Sequence, residues 1–248
     1  MASYFGVYHW RRRFRRLFGA LALVVAGLLA WRRGGRLARL VGLALAAAGA
    51  KRGYGPLDRV LSPPPWQPDR WKYRAPREAM PYADAERALD VGCGTGRSLV
   101  GLAPAVPADC RLTGLDVFDD RVILGNGPGL ARRNAAEAGL GVDVVAGDAA
   151  RLPVADDTHD VVTACRVLHD LPKETAESAL TEARRVLGPE GTLGVLELPV
   201  PHDPDADPLA YWQSLVEDAG FAVEEAREVD GGSYFLLVAT PEGAVDSG

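Results

Sequence analysis

Leu89-Asp90-Val91-Gly92-Cys93-Gly94-Thr95-Gly96-Arg97 is the stretch on which the fold turns. An apolar run ending on an acid leads into three glycines at alternate positions and then into a helical pattern. It reads as a strand that bends sharply into a helix. Glycine belongs at such a bend because only a residue without Cβ lets the chain turn tightly and approach a ligand closely. Outward from the turn, short apolar runs alternate with helical periodicity, which is the pattern of a parallel sheet covered by helices on both faces. Strands are predicted over 87–91, 111–115, 142–146, 161–164 and 192–198, and helices over 98–102, 129–138, 173–187 and 208–219. Residues 221–227 and 234–239, separated by Asp230-Gly231-Gly232, predict a terminal hairpin. The fold class is α/β, a Rossmann-like doubly wound sheet.

Dinucleotide enzymes use a related turn, so the glycines alone leave a nicotinamide-dependent oxidoreductase open. Two details favour S-adenosyl-L-methionine instead. The bulky Arg97 stands where the dinucleotide pattern wants a small residue, and Asp90 precedes the turn, where it can accept from the cofactor's ammonium directly or through water. Asp116 ends the second strand about twenty residues on, where a carboxylate suits both ribose hydroxyls, and Val117 beside it suits the adenine face. Gly147-Asp148-Ala149 follows the third strand and places Asp148 for the adenine amino group. Each acid taken singly could be a loop carboxylate or helix cap. All of them falling at strand carboxyl ends, in order, argues for a ligand along that edge.

These residues resemble class I S-adenosylmethionine-dependent methyltransferases over Tyr82 to Thr240. Ala88 to Gly96 is similar to the family's first motif, Gly147 to Pro153 with Asp160-Val161-Val162 to later ones, and Arg184 to Leu193 to the lead-in of the fifth strand. The resemblance implies seven strands with the last antiparallel, and it is nearest to the small-molecule branch that includes quinone and lipid methylating enzymes. It implies a cofactor site built from Asp90, Gly92, Cys93, Gly94, Gly96, Asp116, Val117, Asp148, Ala149 and Cys165. The stretch 118–128 departs from the family through the extra Asn126-Gly127-Pro128. Cys165-Arg166-Val167-Leu168-His169-Asp170 follows the fourth strand on the active edge, which makes His169 the first candidate base and Glu197, near the end of the fifth strand, the second. A binding module that holds the cofactor without turnover stays open as a third reading.

Net charge is −5, yet residues 1–57 carry 11 of the 28 basic residues and no acid, leaving 17 against 33 acids, or −16, for the remainder. A cationic segment suits an anionic surface, while the acidic body argues against nucleic acid as a partner. Apolar runs at 17–31 and about 37–50 flank the basic break Arg32-Arg33-Gly34-Gly35-Arg36 and predict two helices. They read as a membrane anchor that either spans or lies on the bilayer. The positive-inside bias then puts the catalytic body in the cytoplasm. The expected organisation is an anchor over 1–57, a Pro-rich linker over 58–80, a cofactor-binding domain over 81–241 and a tail over 242–248. The three cysteines, Cys93, Cys110 and Cys165, lack metal-ligand spacing, so no metal site is expected. The acceptor class implied is a small molecule such as a lipid or quinone.

Overall fold

The computed structural model describes residues 4–61 and 70–243. In chain order its elements are β1 (Val7–Tyr8), α1 (Trp10–Arg33), α2 (Arg36–Leu61), α3 (Arg74–Ala79), β2 (Arg87–Val91), α4 (Arg97–Leu102), β3 (Arg111–Asp116), β4 (Ile123–Leu124), α5 (Pro128–Glu137), β5 (Val142–Ala146), β6 (His159–Cys165), α6 (Lys173–Val186), β7 (Leu187–Glu197), α7 (Pro208–Glu217), β8 (Phe221–Val229) and β9 (Tyr234–Pro241). They form two compact units: a sheet unit of residues 70–118 and 126–243, and a hairpin unit of residues 4–61 and 119–125.

The sheet unit contains seven strands in the order β5-β3-β2-β6-β7-β9-β8. The first five are parallel, and β9 runs antiparallel to both neighbours, as the resemblance implied. Parallel strands covered on both faces must be apolar on both sides. Accordingly Leu89, Val91, Val162, Ala164, Leu193 and Val195 are buried on one face with α6 and α7, and Ala88, Leu112 and Val161 on the other with α4 and α5. Strand β7 begins at Leu187, five residues before the predicted start. Gly188-Pro189-Glu190-Gly191, the lead-in, is already strand, because Leu187 pairs with His159 and the ladder resumes at Val161 and Thr192 across a register shift.

The linker expected over 58–80 is structured at both described ends. Residues 58–61 finish α2, and 70–73 form a 3-10 turn leading into α3. Tyr73, Ala75, Met80 and Tyr82 are buried in the sheet unit, because this segment supplies apolar side chains to its core. The Pro-rich stretch, 62–69, and the tail from 244 onward lie outside the described residues.

In the hairpin unit α1 and α2 are longer than the apolar runs, because the arginines of 11–16 and the polar residues beyond 50 continue the helices. The helices meet through small residues two turns apart, Ala20 and Gly27 on α1, Gly42 and Gly49 on α2, all buried. A Cβ on Gly42 would lie 2.5 Å from the Gly27 carbonyl oxygen, and one on Gly49 2.7 Å from that of Ala20, so backbone meets backbone. Residues 119–125 join this unit. β4 pairs antiparallel with β1, His9 N–H donates to the Val122 carbonyl at 2.7 Å, and Trp10 Nε1–H donates to that of Asp120 at 2.9 Å.

Candidate active site

The loops after β2, β3 and β5 leave one edge of three adjacent strands, with Val91 beside Leu115 and Asp116 beside Ala146. Gly92, Gly94 and Gly96 all have positive φ, between 51° and 83°, which is why glycine is required at each. The N–H groups of Gly92 and Cys93 donate to the Leu115 carbonyl at 2.7 and 3.0 Å, and Gly94 N–H donates to Asp116 Oδ2 at 3.0 Å. The turn is thus stitched to β3 and its carboxylate. From below, Asn134 on α5 donates to the Thr95 carbonyl at 2.8 Å.

A Cβ added at Gly94 would meet nothing nearer than Asp116 Oδ2, at 3.8 Å. That space over the turn, bounded by a carboxylate, suits an adenosyl ligand with two ribose hydroxyls. Asp116 Oδ1 also accepts from Phe118 N–H at 2.6 Å and from Asn126 Nδ2 at 3.4 Å, while the buried Asn126 Oδ1 has no hydrogen-bond partner. A buried acceptor left open beside the Asp116 carboxylate calls for a donor, and a ligand hydroxyl would be one. Asn126 belongs to the stretch that departs from the family pattern, and spacing alone did not mark it.

Asp90 is placed differently from the other acids. It is buried, with Ser98 Oγ donating to Oδ2 at 2.5 Å and Thr163 Oγ1 to Oδ1 at 2.9 Å. Burial pushes its carboxyl up to about 7, opposed by those two hydroxyls and reinforced by the charge of Asp116. Asp90 therefore braces the turn from within. Val117, next to Asp116, is exposed. Asp148 is also exposed, and its Oδ1 accepts from Ala150 N–H at 3.0 Å. The loop is held at the same edge by Gly147 N–H, which donates to the Asp116 carbonyl at 3.0 Å, and Ala149 is buried beneath it. The thiols of Cys93 and Cys165 are buried and pushed up by that burial, so they serve as small apolar groups rather than nucleophiles.

The two candidate bases, read separately from the sequence, form one unit. Glu197 is fully buried at the end of β7. Its Oε1 accepts from Val167 and Leu168 N–H at 2.8 and 2.7 Å, and its Oε2 pairs with His169 Nδ1 at 2.7 Å. Burial alone would lower the imidazole pKa, but the hydrogen bond and charge of Glu197 outweigh it and hold it above the ordinary value. With Nδ1 engaged, Nε2 is the nitrogen turned to other work, with Asp170 Oδ1 at 3.6 Å. His202 has a different task. Its two ring nitrogens lie 2.7 Å from the Tyr211 hydroxyl and 2.8 Å from the Leu171 carbonyl, tying the loop after β7 to the one that carries His169.

Residues 88–191 match the family described as a methyltransferase domain. Over 131 residues the chain is 33% identical to demethylmenaquinone methyltransferase of Staphylococcus aureus (strain MRSA252), covering 53% of this chain and 50% of that protein. The protein of the same name from Lactobacillus johnsonii is 33% identical over 117 residues, 47% and 46% of the two chains. The chain thus spans about half the length of these curated relatives. Two solved structures share the fold. An S-adenosylmethionine-dependent methyltransferase from Aquifex aeolicus superposes with a TM-score of 0.54 at 23% identity, over 71% of this chain and 94% of that one. The CcbJ methyltransferase from Streptomyces caelestis gives 0.54 at 21%, over 70% and 95%. Residues 88–191 are thus similar to a methyltransferase domain, and the sheet unit has the fold of these solved methyltransferase structures.

Proposed function

We propose that this protein transfers a methyl group from S-adenosylmethionine to a small, hydrophobic, quinone-related acceptor at a membrane. The observation that carries the chemistry is the His169–Glu197 pair on the same strand edge as the Gly94–Asp116 stitch. When bound, S-adenosylmethionine supplies an electrophilic methyl carbon on a sulfonium. Asp116 and Asn126 hold the ribose, Asp148 and Val117 the adenine, and the glycine turn with Ala149 and Cys165 shapes the remaining wall. His169, oriented by Glu197 through Nδ1, takes the proton from an acidic hydroxyl of the acceptor at Nε2. Positioning by these groups supplies most of what the protein contributes. The quinone class rests on the names of the relatives.

Attachment to a membrane rests on the hairpin unit. Among the described residues α1 is the one helix long and apolar enough to cross a membrane by length and composition. The packed seam spends only small residues, which leaves Phe18, Leu21, Leu28, Leu40 and Leu43 exposed. Cations border this apolar zone at both ends, Arg11 to Arg16 with Lys51 and Arg52 at one and Arg32 to Arg39 at the other. At the first belt a cavity lined by Arg16, Arg52, Gly19 and Leu23 suits an anionic headgroup.

The test is full-length protein with a labelled methyl donor and a demethylated naphthoquinol in vesicles. Label should enter the quinol, and His169→Gln should slow transfer by about 100-fold while cofactor affinity holds. No calorimetric association with S-adenosylhomocysteine would sink the methyltransferase reading. Failure of the protein to float with anionic vesicles would remove the membrane attachment alone.

A further inference from the structure

Residues 197–202, which lead away from β7, grip the loop 166–171 at two points. Near the start of that loop the buried Glu197 accepts from Val167 and Leu168 N–H and pairs with His169. At its end, His202 Nε2 lies 2.8 Å from the Leu171 carbonyl oxygen. A carbonyl oxygen only accepts, so Nε2 carries the hydrogen, and in the neutral ring Nδ1 accepts from the Tyr211 hydroxyl at 2.7 Å. The tautomer of His202 is thereby fixed from both sides.

The grip is stiff. Leu198, Pro199, Val200 and Pro201 separate Glu197 from His202, and the two prolines lock φ at two of these four positions. Trp212 of α7, fully buried, holds the near end by donating from Nε1 to the Leu198 carbonyl at 2.9 Å, and its ring meets that of His202 edge to face at 5.6 Å. Leu198 N–H in turn donates at 3.1 Å to Glu197 Oε2, the oxygen that pairs with His169 Nδ1. Packing against Trp212 asks only for a flat ring. The contacts with Leu171 and Tyr211 ask for a donor and an acceptor on one ring, which imidazole supplies.

We infer that His202 is a positioning residue for methyl transfer: held by Tyr211, it clamps the far end of the loop that carries His169 and so keeps His169 Nδ1 on Glu197. This deepens the methyltransferase reading, and its bearing on transfer rests on that reading. With the far end released, the loop pivots about its Glu197 end, and a base displaced by about 1 Å can cost about 100-fold in rate.

The test follows the His169 imidazole by NMR in full-length protein labelled with carbon-13 histidine, its signal assigned among the four histidines by its loss in His169→Gln. Glu197 and Asp170 face that ring with negative charge and Arg166 with positive, and the wild-type midpoint should lie above the ordinary value of about 6.5. His202→Phe keeps a ring against Trp212 and removes both hydrogen bonds. It should lower the His169 midpoint toward the ordinary value and cut kcat with a demethylated naphthoquinol about tenfold, with S-adenosylhomocysteine affinity within about twofold. His202→Gln, whose amide can still donate to the Leu171 carbonyl, should recover most of both. Val216→Ala, at a buried residue of α7 that forms no part of the clamp, should destabilise the fold yet leave the midpoint in place. An unmoved midpoint in folded His202→Phe, an undiminished kcat, or an equal shift in Val216→Ala would overturn the inference. If His202→Phe fails to fold, Tyr211→Phe, which removes one of the two hydrogen bonds, decides by the same criteria. Should the midpoint move in a protein that ignores S-adenosylhomocysteine and transfers no methyl group, the methyltransferase reading falls and the clamp on His169 stands.

Discussion

The sheet unit and the hairpin unit use glycine for the same purpose, close backbone approach, with opposite sidedness. In the sheet unit Leu89, Leu99, Leu193, Trp212 and Phe221 are buried, and at the rim Gly94 leaves space for a ligand. In the hairpin unit glycine and alanine are inside, while Phe18 and Leu40 are 68% and 66% exposed. A fold that hides its large apolar side chains is organised against water, and one that displays them fits the apolar surrounding proposed for the hairpin unit. One chain thus carries two folding logics, and each can be attacked separately.

The largest effect is expected at the rim of the sheet unit. Asp116→Ala removes the acceptor of Gly94 and Phe118 N–H together with the proposed ribose contact, and should weaken S-adenosylhomocysteine binding about 100-fold by calorimetry. A loss below about threefold would mean that the carboxylate stitches the loop and nothing more. Next comes the hairpin seam. Gly42→Leu must push the α1 and α2 backbones apart and should destabilise the hairpin by about 2–3 kcal/mol, read as lost helical ellipticity in micelles. An unchanged melt would show that the seam tolerates bulk and that the sidedness argument is wrong.

A third prediction concerns Asp90 and pH. Its folded pKa, about 7, lies above the unfolded carboxyl value, so the folded state holds the extra proton. The resulting stability is complete below the unfolded value and is lost as pH rises toward and through 7. Wild-type protein should therefore lose on the order of 2 kcal/mol between about pH 5 and about pH 8, and Asp90→Asn should flatten that slope. His169 has the same sign over a higher window. Its stabilisation is present below the ordinary imidazole value of about 6.5 and fades as pH passes its raised folded value, so His169→Gln should remove a further part of the downward slope left in Asp90→Asn, while His159, held below its ordinary value by burial, slopes the opposite way. Denaturant midpoints across that range check both, and a wild type that grows more stable from pH 5 to 8 would contradict them. The smallest effect belongs to Leu28→Ala on the exposed side of α1, which should change hairpin stability by no more than about 0.5 kcal/mol. A cost equal to that of Gly42→Leu would invert the comparison between the two units.

Local pattern carried much of this molecule. The run from Leu89 to Gly96 announces a strand and a turn because apolar alternation and missing Cβ atoms act over a few residues, and Asp116 follows because a strand end places the next side chain on the edge. The same locality leaves Gly188 to Gly191 outside the predicted strand, whereas β7 runs through them, its start set by the pairing of Leu187 with His159, distant in sequence.

Periodicity and composition were enough for the α/β class, the order of the acids along the strands' carboxyl edge and the separation of a cationic apolar segment from an acidic body, because none of these needs a distant partner. Three-dimensional packing was required to show that His169 and Glu197 share a hydrogen bond, that Asp90 is sealed between Ser98 and Thr163, and that His202 joins Tyr211 to Leu171. Each of those contacts joins residues brought together by the packing of the sheet and its loops, and such meetings depend on register and layer order that no local window contains.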